Sequence, residues 1–261
     1  MGVVVLTSAA GSPGVTTLAV GLALSWPRSV LLVDADPGAA HAVLAGFLGG
    51  RSAAGKGLVR VAEAHRERRP LREVVLDQTI ELAADPAVRR LFLPGFARAA
   101  NASLFGPVWP ELAPTFTQLD RVEIDVIVDA GRLEPRGLPF PLIECGSRVG
   151  LVMRTSLRAV AAARSAAPIL LEQARAGAAG PHAAVLGGPG QPYGRREIAS
   201  ALSLPVFGEV ADDPRAAAVL SDGARRPRHF ERSDFVRSVH HLAQQLAADL
   251  RESVNRVGVV R

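Results

Sequence analysis

The sequence predicts a doubly wound α/β fold, a mostly parallel sheet with helices on both faces. Three observations predict it. Short apolar strands alternate with helical segments along the chain. Hydrophobic residues make up 48% of the chain but aromatics only 5%, so the core is built from Val, Leu, Ile and Ala, the mix of buried parallel strands under Ala-rich helices. A Gly-rich turn joins the first strand to the first helix, and a second strand follows at once, which is a βαβ unit.

The elements follow in order. Val3–Thr7 is a β-branched strand, Ser8–Gly14 the loop, Thr16–Ser25 a helix, and Ser29–Val33 a strand that ends in Asp34-Ala35-Asp36-Pro37. Glycines 46, 49, 50, 55 and 57 interrupt the next stretch, which reads as short helices over 39–47, 57–68 and 71–77. Leu91–Pro94 is a short strand, Pro107–Leu119 a helix, and Ile124–Asp129 a buried strand closed by Ala130-Gly131. Then come strand 149–153, an Ala-rich helix 156–176 bent at Pro168, strand 182–186, helix 195–202, strand 205–210 and helix 214–221. A last helix spans 233–254, with Phe235, Val239, Leu242, Leu246, Leu250 and Val254 on one face. That face suits packing on the sheet; with no Trp on it, it makes a poor membrane-surface helix. The 261 residues carry no internal repeat and no low-complexity linker, so 1–261 reads as one domain with a sizeable core.

Composition excludes several classes. No apolar run reaches the roughly 18 residues of a membrane span, and the N-terminus reads as a strand rather than a signal peptide. The single cysteine, Cys145, allows no internal disulfide framework and no multi-Cys metal site. A cytoplasmic protein is the simple expectation. The formal charge is +5, and Lys56 is the only lysine. Such a bias fits a GC-rich genome, in which a drifting lysine becomes Arg before it becomes Val.

The chemistry centres on Ala9-Ala10-Gly11-Ser12-Pro13-Gly14-Val15-Thr16-Thr17. A Gly-rich turn at a helix N-terminus aims backbone N–H groups at one point, and the helix dipole adds positive potential, which together make an anion site. A Thr at the helix start can hold Mg²⁺ through its hydroxyl. The phosphate-loop pattern is matched at Gly11, Gly14, Thr16 and Thr17, while Val15 stands where the lysine should be and Pro13 removes one N–H. By itself the loop reads equally well as a plain strand-to-helix turn. Its setting adds weight: one strand ends in paired aspartates, and another ends in Asp129, where a Walker B carboxylate belongs.

Here the chain resembles the ParA/MinD family of deviant Walker A P-loop ATPases, the SIMIBI class, over most of its length. The family's Lys-Gly-Gly-x-Gly-Lys-Thr-Thr aligns with Ala10–Thr17, its Asp-x-Asp-Pro with Asp34–Pro37, and its Walker B strand end with Val128-Asp129-Ala130-Gly131. Val152–Val160 resembles the strand and helix start after Walker B, and Pro205–Pro214 resembles the strand and Pro-x-Asp turn near the family's end. The resemblance implies ATP or ADP with Mg²⁺ as cofactor. Gly11, Ser12, Pro13, Gly14, Val15, Thr16 and Thr17 would cradle the phosphates, and Thr16 would ligand the metal. Asp129 would reach it through water, and Asp36 would position the attacking water. The lesser reading of these aspartates is as helix caps and solvated strand ends, and Asp34 reads as structural.

The departures are specific. The family's signature lysine, which crosses the dimer interface, is Ala10; the P-loop lysine is Val15; the adenine-contacting Asn is replaced near Gly187-Gly188. Loss of cationic contacts to a transferring phosphoryl group costs orders of magnitude in rate. The leading expectation is therefore a degenerate nucleotide-switch homologue acting as a spatial organiser or assembly scaffold, similar to the TadZ/CpaE group of Tad/Flp-type pilus or secretion systems. Its hydrolysis would be weak or absent. The resemblance implies a homodimer with a protein partner, recruited to the pole, nucleoid or inner membrane face. The alternative is a working partitioning or positioning ATPase with non-specific DNA binding, for which Thr16, Asp36 and Asp129 argue and the missing lysines argue against.

Other readings are weaker. An iron-protein reductase needs more cysteines than Cys145, a tyrosine-kinase relative a Tyr-rich tail where Tyr193 is the only tyrosine, and a ligase of the dethiobiotin-synthetase kind phosphate-binding lysines. Arg225, Arg226, Arg228 and Arg232, and Arg66, Arg68 and Arg69, form basic stretches that suit a solvated face or non-specific phosphate contacts. His240 and His241 are adjacent, point to different faces and make no metal pair.

Overall fold

A computed structural model describes residues 2–10, 13–38, 41–133, 138–176, 182–188 and 192–258. The chain runs β1 (Val3–Ser8), α1 (Val15–Ser25), β2 (Ser29–Asp34), a π-helical turn (Val43–Phe47), α2 (Leu58–Arg66), α3 (Leu71–Val74), β3 (Ile80–Ala83) and β4 (Arg90–Leu93). It continues with α4 (Ala99–Ser103), α5 (Trp109–Gln118), β5 (Ile124–Arg132), α6 (Phe140–Cys145), β6 (Gly146–Arg154) and α7 (Leu157–Ala176). The last elements are β7 (His182–Gly187), α8 (Arg195–Leu202), β8 (Val206–Val210), α9 (Pro214–Ser221) and α10 (Asp234–Gly258).

The eight strands form one sheet in the order β3-β4-β2-β5-β1-β6-β7-β8. All neighbours pair in parallel except β3 and β4. The winding direction changes beside β1: β2 lies beyond β5 on one side, and β6 lies on the other. Such a switch point opens a crevice at the carboxyl ends of the strands, where open α/β sheets bind ligands.

Both sheet faces are buried, as the sequence predicts. Val3, Val5, Leu31, Val33, Val126 and Val128 point into one layer with Leu58, Trp109, Phe116 and Leu142. Val4, Leu6, Val30, Leu32 and Ile127 point into the other with Leu18, Leu22, Val219, Val239 and Leu242. Helix α1 is apolar on every side because α9 and α10 cover the face that turns away from the sheet. Phe235, Val239, Leu242, Leu246 and Leu250 of α10 are buried, so this face packs on the protein; Val254 lies where side chains are not described. No described helix is long and apolar enough to cross a membrane.

The differences from the sequence reading concentrate between β2 and β5. The helix expected over 39–47 is a π-helical turn at Val43–Phe47, whose Val43 packs in the core beside α9; residues 39 and 40 lie outside the described ones. Strand β3 escaped notice because Ile80-Glu81-Leu82-Ala83 is a four-residue edge held only by β4. The short helices α4 and α6 lie in Pro- and Ala-rich stretches without helical periodicity.

A buried tie closes the amino-terminal edge of the sheet. Trp26 Nε1 donates to Asp125 Oδ2 at 2.9 Å, the Gly2 amide donates to Oδ1 at 3.3 Å, and Arg28 stands 3.8 Å from Oδ2.

Candidate functional site

The site lies at the switch point, where β1, β2 and β5 end and α1 begins. Gly14 has φ 94 and ψ 35, a left-handed conformation that a side chain would strain. Its carbonyl accepts from the Leu18 amide at 2.8 Å, the first turn of α1. The free N–H groups at this helix start face a cleft of about 610 Å³ lined by Gly14, Val15, Thr16, Thr17, Asp36 and Gly131 among others. Gly14 and Thr17 also line a neighbouring cavity of about 350 Å³ with Arg154, Gly187 and Gly188. Arg154 is held at its rim by Asp212 at 2.7 Å.

Three carboxylates gather behind the loop. Asp34 and Asp129 are Cα partners at the ends of β2 and β5, and Asp36 follows two residues after Asp34. Asp129 is buried; its Oδ1 accepts from the Gly131 amide at 3.0 Å, and the Thr16 hydroxyl donates to it. Burial pushes its carboxyl up to about 6 against the pull of those two donors, with the Asp36 charge adding a little. Asp34 goes further, to about 8, first through burial and then through the charges of Asp129 and Asp36, although the Asp36 and Gly95 amides donate to it. Asp34 therefore holds its proton to higher pH than a solvated carboxyl does. Asp36 is half-buried at the cleft, and its Oδ1 accepts from the Gly38 amide at 2.8 Å, so it also shapes its own turn.

The expected residues thus largely converge. Gly14, Thr16, Thr17 and Asp36 line one cleft, and Asp129 backs it through Thr16 and Gly131; Pro13 lines the neighbouring cavity, and Gly11 and Ser12 lie outside the described residues. Val15 divides: its residue borders the cleft, while its side chain is 6% exposed and packs with Leu18 and its neighbours. Lys56 is elsewhere, its Nζ donating to the Thr79 carbonyl at 3.0 Å. Thr16 and Asp129 offer a hydroxyl and a carboxylate in contact, a donor set that fits Mg²⁺ held partly through water. Among the described residues no three His, Cys, Asp or Glu form a metal cage.

The sequence reading passed over Arg132, which also lines the cleft. Its signal was available: it is the first cation after the Walker B-like strand. Its placement opposite Ser8 comes only from strand pairing. Burial pushes the Cys145 thiol up to about 12, which leaves it inert at neutral pH. His240 and His241, expected on different faces, both line a separate surface cleft with Arg90 and Glu231. Arg225, Arg226, Arg228 and Arg232 are exposed; Arg226 pairs with Glu231 at 3.0 Å and sits over the Phe230 ring.

No protein-family model and no curated protein matches the chain. Solved structures do. The MinC:MinD cell division protein complex of Aquifex aeolicus superposes with a TM-score of 0.70 at 15% identity, covering 95% of this chain and 96% of that one. A ParA family ATPase from Chlorobium tepidum gives 0.71 at 16% identity, covering 93% and 98%. An ATP complex of McdA from Cyanothece gives 0.67 at 17%, covering 95% and 96%. The fold of this chain is that of the MinD and ParA ATPases.

Proposed function

We propose that this protein is a single-domain, ParA/MinD-like nucleotide-switch homologue. It binds ATP or ADP with Mg²⁺, hydrolyses weakly or not at all, and works as a spatial organiser or assembly scaffold through a dimer and a protein partner. A Tad/Flp-type pilus or secretion system is the setting to which its eroded phosphate loop points. The observation that carries the reading is the convergence of the α1 N-terminus, Thr16, Asp36 and Asp129 on one cleft, with no lysine reaching it.

The roles follow from the geometry. The amides from Gly14 onward bind phosphate oxygens at the positive end of α1. Thr16 and Asp129 would hold Mg²⁺, which when bound neutralises charge on the phosphates. Asp36, facing the cleft from the turn after β2, orients water. Without a lysine on the transferring group, binding and its conformational consequences survive better than turnover. Two structural neighbours support the nucleotide: one is an ATP complex of McdA from Cyanothece, and another is MinD from Pyrococcus horikoshii with Mg-ADP.

Calorimetric titration with ATP and ADP, each with Mg²⁺, tests the reading beside Thr16→Ala. Micromolar binding that Thr16→Ala weakens is the expected result. Absence of binding by the wild type would overturn it and leave a scaffold with a relic loop. Turnover on the order of 1 s⁻¹ or faster would instead favour the working ATPase, the reading for which the retained Asp36 speaks.

A further inference from the structure

Among the described residues, Arg132 is the only cationic side chain lining the phosphate-loop cleft. It is the last residue of β5 and the Cα partner of Ser8, the last residue of β1 before the loop. Its backbone is pinned on both sides. The Thr7 hydroxyl donates to the Gly131 carbonyl at 3.1 Å, and the Leu133 amide donates to the Ser8 carbonyl at 2.8 Å. The side chain is exposed and, among the described residues, makes no hydrogen bond or ion pair.

This combination is unusual in the chain. Arg28, Arg90, Arg148 and Arg154 are each spent on an aspartate. Lys56 is spent on a carbonyl. Among the described residues, Arg132 alone lines the cleft with its guanidinium uncommitted, at the end of β5 and beside the α1 N-terminus. A guanidinium presents a planar fork of donors that matches phosphate oxygens, and it keeps its charge at every relevant pH.

We propose that Arg132 is the cationic contact for the terminal phosphates of the bound nucleotide, supplied from the strand side of the cleft in place of the lysines missing at Ala10 and Val15. This rests on the nucleotide reading above. In a P-loop carrying a lysine, the cation comes from the loop itself; here it comes from across the cleft, so the loop needs to contribute only backbone amides and Thr16. The same position next to Gly131 and Asp36 lets Arg132 offset the carboxylate that otherwise repels the terminal phosphate.

The experiment is titration calorimetry of Mg²⁺-ATP against the full chain, comparing wild type, Arg132→Ala, Arg132→Lys and the distant surface variant Arg72→Ala. Melting temperature without nucleotide serves as the fold check. The expected result is about a tenfold or greater loss of ATP affinity in Arg132→Ala. Arg132→Lys should recover part of it, Arg72→Ala should bind like wild type, and melting temperature should not change, since Arg132 makes no contact to lose. Should Arg132→Ala bind ATP within about twofold of wild type while Thr16→Ala loses affinity, the assignment of Arg132 is overturned and the nucleotide reading stands. If wild type binds no ATP, both fall together.

Discussion

Gly131 and Asp36 occupy space that no other pair could share: a Cβ on Gly131 would lie 2.4 Å from Cγ of Asp36, and Gly131 itself has φ +62. The glycine near the end of β5 is thus what leaves room for the Asp36 carboxylate at the cleft. Gly131→Ala should strain the backbone and displace Asp36 together, costing about 1–3 kcal/mol of stability. Denaturant unfolding checks the stability, and ATP titration checks the cleft. An alanine variant as stable as wild type would mean that β5 can move aside.

The two raised carboxyls make stability depend on pH in a definite direction. Asp34 at about 8 and Asp129 at about 6 hold protons more tightly folded than unfolded, where both titrate near 3.8. Their contribution is fully present below about pH 4 and is lost as pH rises through about 6 and then about 8. Over that window each adds a slope of about 1 kcal/mol per pH unit while it is titrating. Asp34→Asn, which cannot ionise, should flatten the upper half of the profile and be more stable than wild type at pH 8. Thermal melts from pH 5 to 9 decide it; identical profiles would count against burial as the cause.

At the opposite end of the sheet, Trp26→Phe keeps most of the buried ring but removes the donor to Asp125. Asp125 is 2% exposed, so the variant removes a hydrogen-bond donor from a buried oxygen that Arg28 approaches at 3.8 Å. The expected cost is about 1–3 kcal/mol. The Trp26→Phe, Asp125→Asn double-mutant cycle measures how much of it belongs to the pair.

Restoring a lysine at position 15 should have two opposed effects. Val15 packs against the α1 core, so Val15→Lys loses apolar contacts and must lead its ammonium out to the cleft, lowering stability without nucleotide by about 1–2 kcal/mol. With Mg²⁺-ATP present the same variant should bind more tightly than wild type. Melting temperatures with and without ATP read both effects from one sample.

Most of the architecture could be read from the chain alone. Alternation of β-branched runs with Ala-rich helices is a local signal, and it placed the parallel strands and the long helices, because each of those segments buries a face whose periodicity is written in consecutive residues. The positions of Gly14 to Thr17 at the start of α1, and of Asp36 and Asp129 at or just after strand ends, were legible for the same reason: each element boundary is marked by its neighbours. Between β2 and β5, α2, α3, β4 and α5 were read near their observed bounds, whereas the π-helical turn and β3 were not legible, since they are held by α9 and β4 rather than marked by pattern.

What the tertiary structure alone decided is spatial order and environment. Strand order put β5 between β1 and β2, and so set Arg132 beside Ser8 and Asp129 beside Asp34. Nothing local encodes these pairings, which join residues about a hundred positions apart. Burial then pushed the carboxyls of Asp34 and Asp129 up by different amounts, because the cost of ionising a carboxyl depends on the water and charge around it and not on its place in the chain.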